Sequence, residues 1–167
     1  MRPTRERWAM DMALLTAKRS TCCRRQVGCV LLNERGHVLA TGYNGVAAGL
    51  PHCNDRVLED PVDVGLSHAG LVGRQVTYPF ACEGAASPSG TNLDACQAIH
   101  AEQNALLQCR DVYAIDTTFV TASPCVTCTK LLLNTGCRRV VYLEEYPHSA
   151  ARELWLSAGR QWEKIEA

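Results

Sequence analysis

Two short stretches hold residue types that can do chemistry together. In "IHAEQNALLQ", residues 99–108, one histidine and one glutamate stand two apart inside an apolar, helix-forming run. Neighbours on a helix surface lie three or four residues apart. His100 and Glu102 therefore share no face in mid-helix and fit a helix entrance, both pointing into one site. In "SPCVTC", residues 123–128, Pro124 suits the first helical turn. That sets Cys125 and Cys128 three apart on one face near the positive end of a helix, where thiolates are stabilised. One imidazole and two thiolates make three zinc ligands and leave one tetrahedral position for water, as in catalytic rather than structural zinc sites. Glu102, outside the coordination shell, can take a proton from zinc-acidified water and pass protons to a ring nitrogen and a departing amino group. The chemistry these groups suit is hydrolytic deamination.

The composition narrows the setting. At 167 residues the chain is long enough for one sizeable core and short for two, so a single domain over residues 1–167 is expected. Lys plus Arg and Asp plus Glu both count 17, which argues against a basic field for a nucleic-acid polymer. No run reaches the length of a membrane span, and "MRPTRERWAMDMALLTAKRS" has no apolar signal block. The expected place is the cytoplasm, that of a host if the protein is viral. Ten cysteines would form a disulfide framework in a secreted chain. In a reducing compartment metal binding is the better reading, and the close pair Cys125 and Cys128 with distant partners favours it.

The elements that must position these groups are legible in outline. From Arg5 to Lys18 the residues Trp8, Ala9, Met12, Ala13 and Leu15 recur near the helical period, and "KRSTCC" ends the pattern. "VGCVLLN" and "HVLATGY", joined by "NERG", predict an antiparallel hairpin. "TTFVTA" and "RRVVYLE" predict buried strands. "CVTCTKLLLNTG" lies between them as a helix, "SAARELWLSAG" follows as another, and a last strand falls at Gln161 to Ile165. The fold class is α/β: an αβα sandwich with a mixed five-stranded sheet, helices on both faces, and parallel pairing of the helix-linked strands. Residues from Asn54 to Ala95 carry Pro, Gly and Ser with little periodicity and read as an irregular insertion that needs a tether beyond regular structure.

His-x-Glu together with Pro-Cys-x-x-Cys is the signature of zinc nucleobase deaminases, and "HAEQNAL" with "SPCVTC" resembles the cytidine deaminase superfamily. "STCCRRQVGCVLLN" followed by "ATGYNGVAAGLPHC" is similar to the deoxycytidylate (dCMP) deaminase family of bacteria and phages, including its late-competence type. The likeness runs from about Arg5 to Gly159. It implies that dCMP and water give dUMP and ammonia, feeding dTMP-type nucleotide synthesis, with His100, Cys125 and Cys128 on zinc and Glu102 as proton shuttle. The backbone N–H of Ala101 at the helix entrance would donate to the pyrimidine carbonyl. Asn44 matches the asparagine that bonds sugar and base in related deaminases; a turn asparagine beside Gly45 is the compatible alternative. Arg24 and Arg25 would clamp the 5′-phosphate, although single arginines are usually solvated. Tyr146 would pack near the nucleotide or stand at the rim. In some members the segment corresponding to Gly42, Tyr43, Asn44 and Gly45 binds dCTP and dTTP as effectors at the contacts of a hexamer. Here Val46 and Ala47 replace a proline common in relatives. The implied assembly is a hexamer, or at least a dimer.

Phage relatives also carry a second, structural zinc with cysteines that match Cys22 and Cys53. Cys82 and Cys96, with His52 as substitute, are inferred to complete it as a closed tetrahedral site. Two other readings stay open: a deaminase of 5-substituted dCMP or of another cytosine or adenine substrate, and a non-enzymatic zinc module that binds a partner protein in competence. One methyl in a pocket is worth only about 1 to 3 kcal/mol. The balanced charge weighs against a tRNA substrate, the two arginines against a free nucleoside, and the missing fourth ligand against a structural zinc module.

Overall fold

The computed structural model describes residues 1–53, 84, 87–88, 91–92, 95–146 and 149–166. Most of the stretch read as an insertion, Cys82 included, lies outside the described residues. Helix α1 (Arg5–Ala17) starts where the Thr4 hydroxyl accepts from the Arg7 N–H at 3.1 Å, a cap for an otherwise orphan donor. Its small residues Ala9, Ala13 and Ala17 are buried. They lie so close to strand β1 (Gly28–Asn33) that a Cβ on Gly28 would overlap the Ala13 carbonyl. The expected hairpin is present: β1 pairs antiparallel with β2 (Val38–Tyr43). Gly36 takes φ +81° and its N–H donates to the Asn33 carbonyl at 2.8 Å, a backbone conformation that glycine tolerates.

Two residues, Gly45–Val46, form β3 and pair with β4 (Ala98–Ile99), a small ribbon that periodicity did not signal. Helix α2 (Ala101–Gln108) follows, then strand β5 (Ile115–Ala122), helix α3 (Val126–Leu133), strand β6 (Arg139–Glu144), helix α4 (Ser149–Ser157) and strand β7 (Gln161–Lys164). The main sheet has the order β2-β1-β5-β6-β7. β1 runs antiparallel to β5, and the helix-linked pairs β5/β6 and β6/β7 are parallel, the pairing that a crossover helix between neighbouring strands allows. Side-chain alternation divides the core between the faces. Val30, Leu32, Phe119 and Val141 meet α1. Cys29, Leu31, Val120, Val140 and Tyr142 meet Ala101 and Ala105 of α2, Leu132 of α3 and Trp155 of α4. The mixed five-stranded sandwich with helices on both faces is therefore the observed fold.

Gly42 fixes how α2 sits. A Cβ there would overlap the Ala101 carbonyl and the Ala105 backbone nitrogen, neither of which can step aside without moving the helix. Gly42→Ala is expected to cost about 1–3 kcal/mol by overpacking. Gly45→Ala, whose Cβ would meet only the Tyr43 ring at 3.6 and 3.8 Å, should stay within about 0.5 kcal/mol of wild type. Denaturant titration of the two variants checks the contrast.

Candidate active site

The site forms where two helix entrances meet. His100 stands just before α2 with extended backbone (φ −70°, ψ 157°), and its N–H donates to Gln103 Oε1 at 2.8 Å. Cys125 stands just before α3, also extended. Pro124 is thus one residue outside the helix rather than in its first turn, because Cys125 itself takes the capping position and turns its thiol back over the helix entrance. Cys128 follows one turn in. His100 Nδ1 lies 3.5 Å from Cys125 Sγ and 3.4 Å from Cys128 Sγ. Zn–N of about 2.0–2.1 Å and Zn–S of about 2.3 Å at tetrahedral angles give an N···S edge of about 3.6 Å, so the three donors fit one zinc ion. Among the described residues they are the one group of three whose ligand atoms come within 4.8 Å of one another.

Charge in the site follows from burial and from these contacts. The Cys125 thiol is pulled down to about 4, first by its hydrogen bond with Cys128 and also by the one with His100. Cys128 moves up, first through that same bond to Cys125 and then through burial. The hydrogen bond to Cys125 raises His100. Glu102, on the first turn of α2, is only 4 % exposed, and burial pushes its carboxyl up to about 7. A carboxyl poised there takes and returns a proton near neutral pH.

These groups open into a cleft of about 80 Å³ at the carboxyl ends of parallel strands β5 and β6, the usual ligand position in such sheets. Arg24, Arg25, Asn44 and Tyr146 line it with His100 and Glu102. Asn44 Oδ1 accepts from the Val27 N–H and Nδ2 donates to the Arg25 carbonyl, both at 2.8 Å, so its side chain pins residues 25–27 to the turn. Arg24 donates to the carbonyls of Pro88 and Thr91 at 2.6 and 2.9 Å. Arg25 is ion-paired with Glu144. The Tyr146 N–H donates to Ser123 Oγ and the Ser123 N–H to the Glu144 carbonyl, each at 2.8 Å, which knits the two strand ends together.

Other expected residues fall elsewhere. Ala101 is fully buried and does not line the cleft. Gly42 packs against α2, and the Tyr43 carbonyl accepts from Asn104 Nδ2 at 2.7 Å, so the segment read as an effector site has internal work to do. Cys22 and Cys96 line the cleft. Cys53 is buried, with Cys23 Sγ donating to its carbonyl at 3.2 Å, and His52 Nδ1 lies 3.2 Å from Thr21 Oγ1. Among the described residues, Cys22, Cys53, Cys96 and His52 bring no three ligand atoms together. The sequence reading passed over Glu144, Ser123 and Asn104. Only Asn104 left a local trace, as a polar residue four places after His100 on the helix face that meets β2.

A sheet of this order with an open His-Cys-Cys site and a buried glutamate beside it defines a zinc-binding domain of the deaminase type. Residues 3–144 match the cytidine and deoxycytidylate deaminase zinc-binding region, and the chain belongs to that family. It is 37% identical over 148 residues to the deoxycytidylate deaminase of Schizosaccharomyces pombe, covering 87% of this chain and 38% of that protein. It is 34% identical over 148 residues to the deoxycytidylate deaminase of Mycobacterium phage D29, covering 86% and 98%. The chain spans about two fifths of the length of the yeast relatives it matches. Its fold superposes with a TM-score of 0.67 and 26% identity on the crystal structure of the dCMP deaminase of cyanophage S-TIM5 in complex with dCMP and dUMP, covering 99% of each chain. Among the described residues no helix is long and apolar enough to cross a membrane.

Proposed function

We propose that this protein is a zinc-dependent dCMP deaminase that converts dCMP and water to dUMP and ammonia. The observation that carries the reading is the convergence of His100, Cys125 and Cys128 beside a buried Glu102 at the inner end of a cleft that also holds two arginines. Zinc held by these three side chains supplies the Lewis acidity that makes water nucleophilic near neutral pH. Glu102 takes one proton from the attacking water and gives it to the ring nitrogen, then takes the second from the new hydroxyl on the ring carbon and gives it to the departing amine as that hydroxyl becomes the carbonyl. Asn44 keeps one amide hydrogen and one oxygen lone pair beyond its bonds to residues 25 and 27, which suits a sugar hydroxyl. Arg24 and Arg25 attract the 5′-phosphate, and Tyr146 walls the same cleft.

The test is a panel of dCMP, 5-methyl-dCMP, deoxycytidine and adenosine with the purified protein, with and without dCTP and dTTP, and with product identification. Efficiency on deoxycytidine should fall well below that on dCMP in both kcat and KM, since remote binding energy positions the reacting carbon. Equal efficiency on the two, or adenosine as the substrate, refutes the proposal. The dCTP and dTTP arms test the effector role of Gly42, Tyr43, Asn44 and Gly45, and light scattering in the same buffers tests the hexamer. A second, structural zinc belongs to this proposal too. Support comes from Cys53, which is 2% exposed although Pro51 and His52 beside it are open to solvent. Cys22, Cys82 and Cys96 are its other donors, with His52 as a substitute for one of them, and metal analysis counting two zinc ions per chain is the expected result.

A further inference from the structure

The two arginines of the cleft differ in how their charge is matched. Arg24 donates to the carbonyls of Pro88 and Thr91, which carry no formal charge, so its cation is left uncompensated by these partners. Arg25, 27 % exposed at its side chain, is matched one for one by Glu144. Glu144 ends β6, and its carbonyl is held by the Ser123 N–H. The pair therefore offers a bound anion a net charge near +1 rather than +2, with a carboxylate beside the guanidinium that the anion must approach. A phosphate monoester brings about −1.5 to −2 at neutral pH, and every further phosphate adds negative charge for which, among the described residues lining the cleft, no Lys or Arg stands beyond Arg24 and Arg25.

We infer that Glu144 is a specificity-determining residue that limits the number of phosphates the cleft accepts, favouring a nucleoside monophosphate over a diphosphate. The inference rests on the proposed nucleotide site. Two unit charges several ångströms apart near a protein surface interact weakly enough that deleting Glu144's charge should change discrimination by roughly threefold to tenfold per added phosphate charge. The effect should shrink as salt is raised. A purely supporting role, with Glu144 holding Arg25 ready for phosphate, predicts the opposite sign: loss of the carboxylate would weaken monophosphate binding.

Calorimetric titration of the zinc-loaded protein with deoxyuridine, dUMP and dUDP reads this without turnover. Wild type should bind dUMP more tightly than dUDP. Glu144→Gln should tighten dUDP roughly three- to tenfold more than dUMP and leave deoxyuridine unchanged, while Glu144→Asp keeps the wild-type ratio. An unchanged dUMP-to-dUDP ratio in Glu144→Gln, or weaker dUMP binding in it, overturns the inference while leaving the deaminase reading intact. Absence of dUMP binding to wild type overturns both.

Discussion

Glu102→Gln is expected to lower dCMP turnover by roughly 10²- to 10⁴-fold while the protein keeps its zinc. The amide copies the shape of the carboxyl and can still hydrogen-bond, so a residue nearly sealed from solvent is replaced without a cavity. What it cannot do is accept a proton. Burial has already placed the Glu102 carboxyl near 7, where both protonation states are populated in the working range, and one group can serve as base toward water and acid toward the amine. Glu102 lies outside the group of three converging ligand atoms, so metal content should stay at the wild-type value. Atomic emission for zinc and a steady-state assay on the same preparation decide the matter. Near wild-type turnover, or zinc loss as deep as in a ligand variant, would show that the glutamate does something other than move protons.

The candidate catalytic groups were legible because their geometry is local. A His-x-Glu pair can share a target only at a helix entrance, and Pro-Cys-x-x-Cys places two thiols at the start of another. The structure brings those two starts together, with His100 and Cys125 each on the residue before a helix. The strands were legible for the same reason, as apolar runs bounded by turns. What failed to show was set by partners distant in sequence. Arg25 and Glu144 are 119 positions apart, and nothing in "CRRQVG" says that one arginine is matched by a carboxylate and its neighbour by carbonyls. Gly42 was read through the family as part of an effector segment, whereas the contact that requires a glycine is with α2, 59 to 63 residues on (101 − 42 and 105 − 42). Cys22 rather than Cys23 was singled out only through the family, because irregular chain has no period to assign faces. The fold turns Cys22 into the cleft and Cys23 toward the Cys53 carbonyl.

Cys128→Ser should abolish both zinc binding at this site and dCMP turnover, and should lower the melting temperature. The residue is fully buried, and serine fits its volume, so the loss comes from chemistry rather than packing. A hydroxyl stays protonated near neutral pH and is a poor partner for zinc where a thiolate is a good one. Only His100 Nδ1 and Cys125 Sγ would remain of the three donors. Because the metal ties the entrance of α2 to the entrance of α3, its binding energy is also folding energy. Free zinc at about 100 times its dissociation constant stabilises the folded chain by about 2.7 kcal/mol. Chelated wild-type protein should therefore melt close to chelated Cys128→Ser, and zinc added back should lift the wild type above the variant. Cys109→Ser, at the opposite end of α2, should match wild type in zinc, turnover and melting. If Cys128→Ser keeps its zinc and its turnover, the three-ligand site is not where the chemistry occurs.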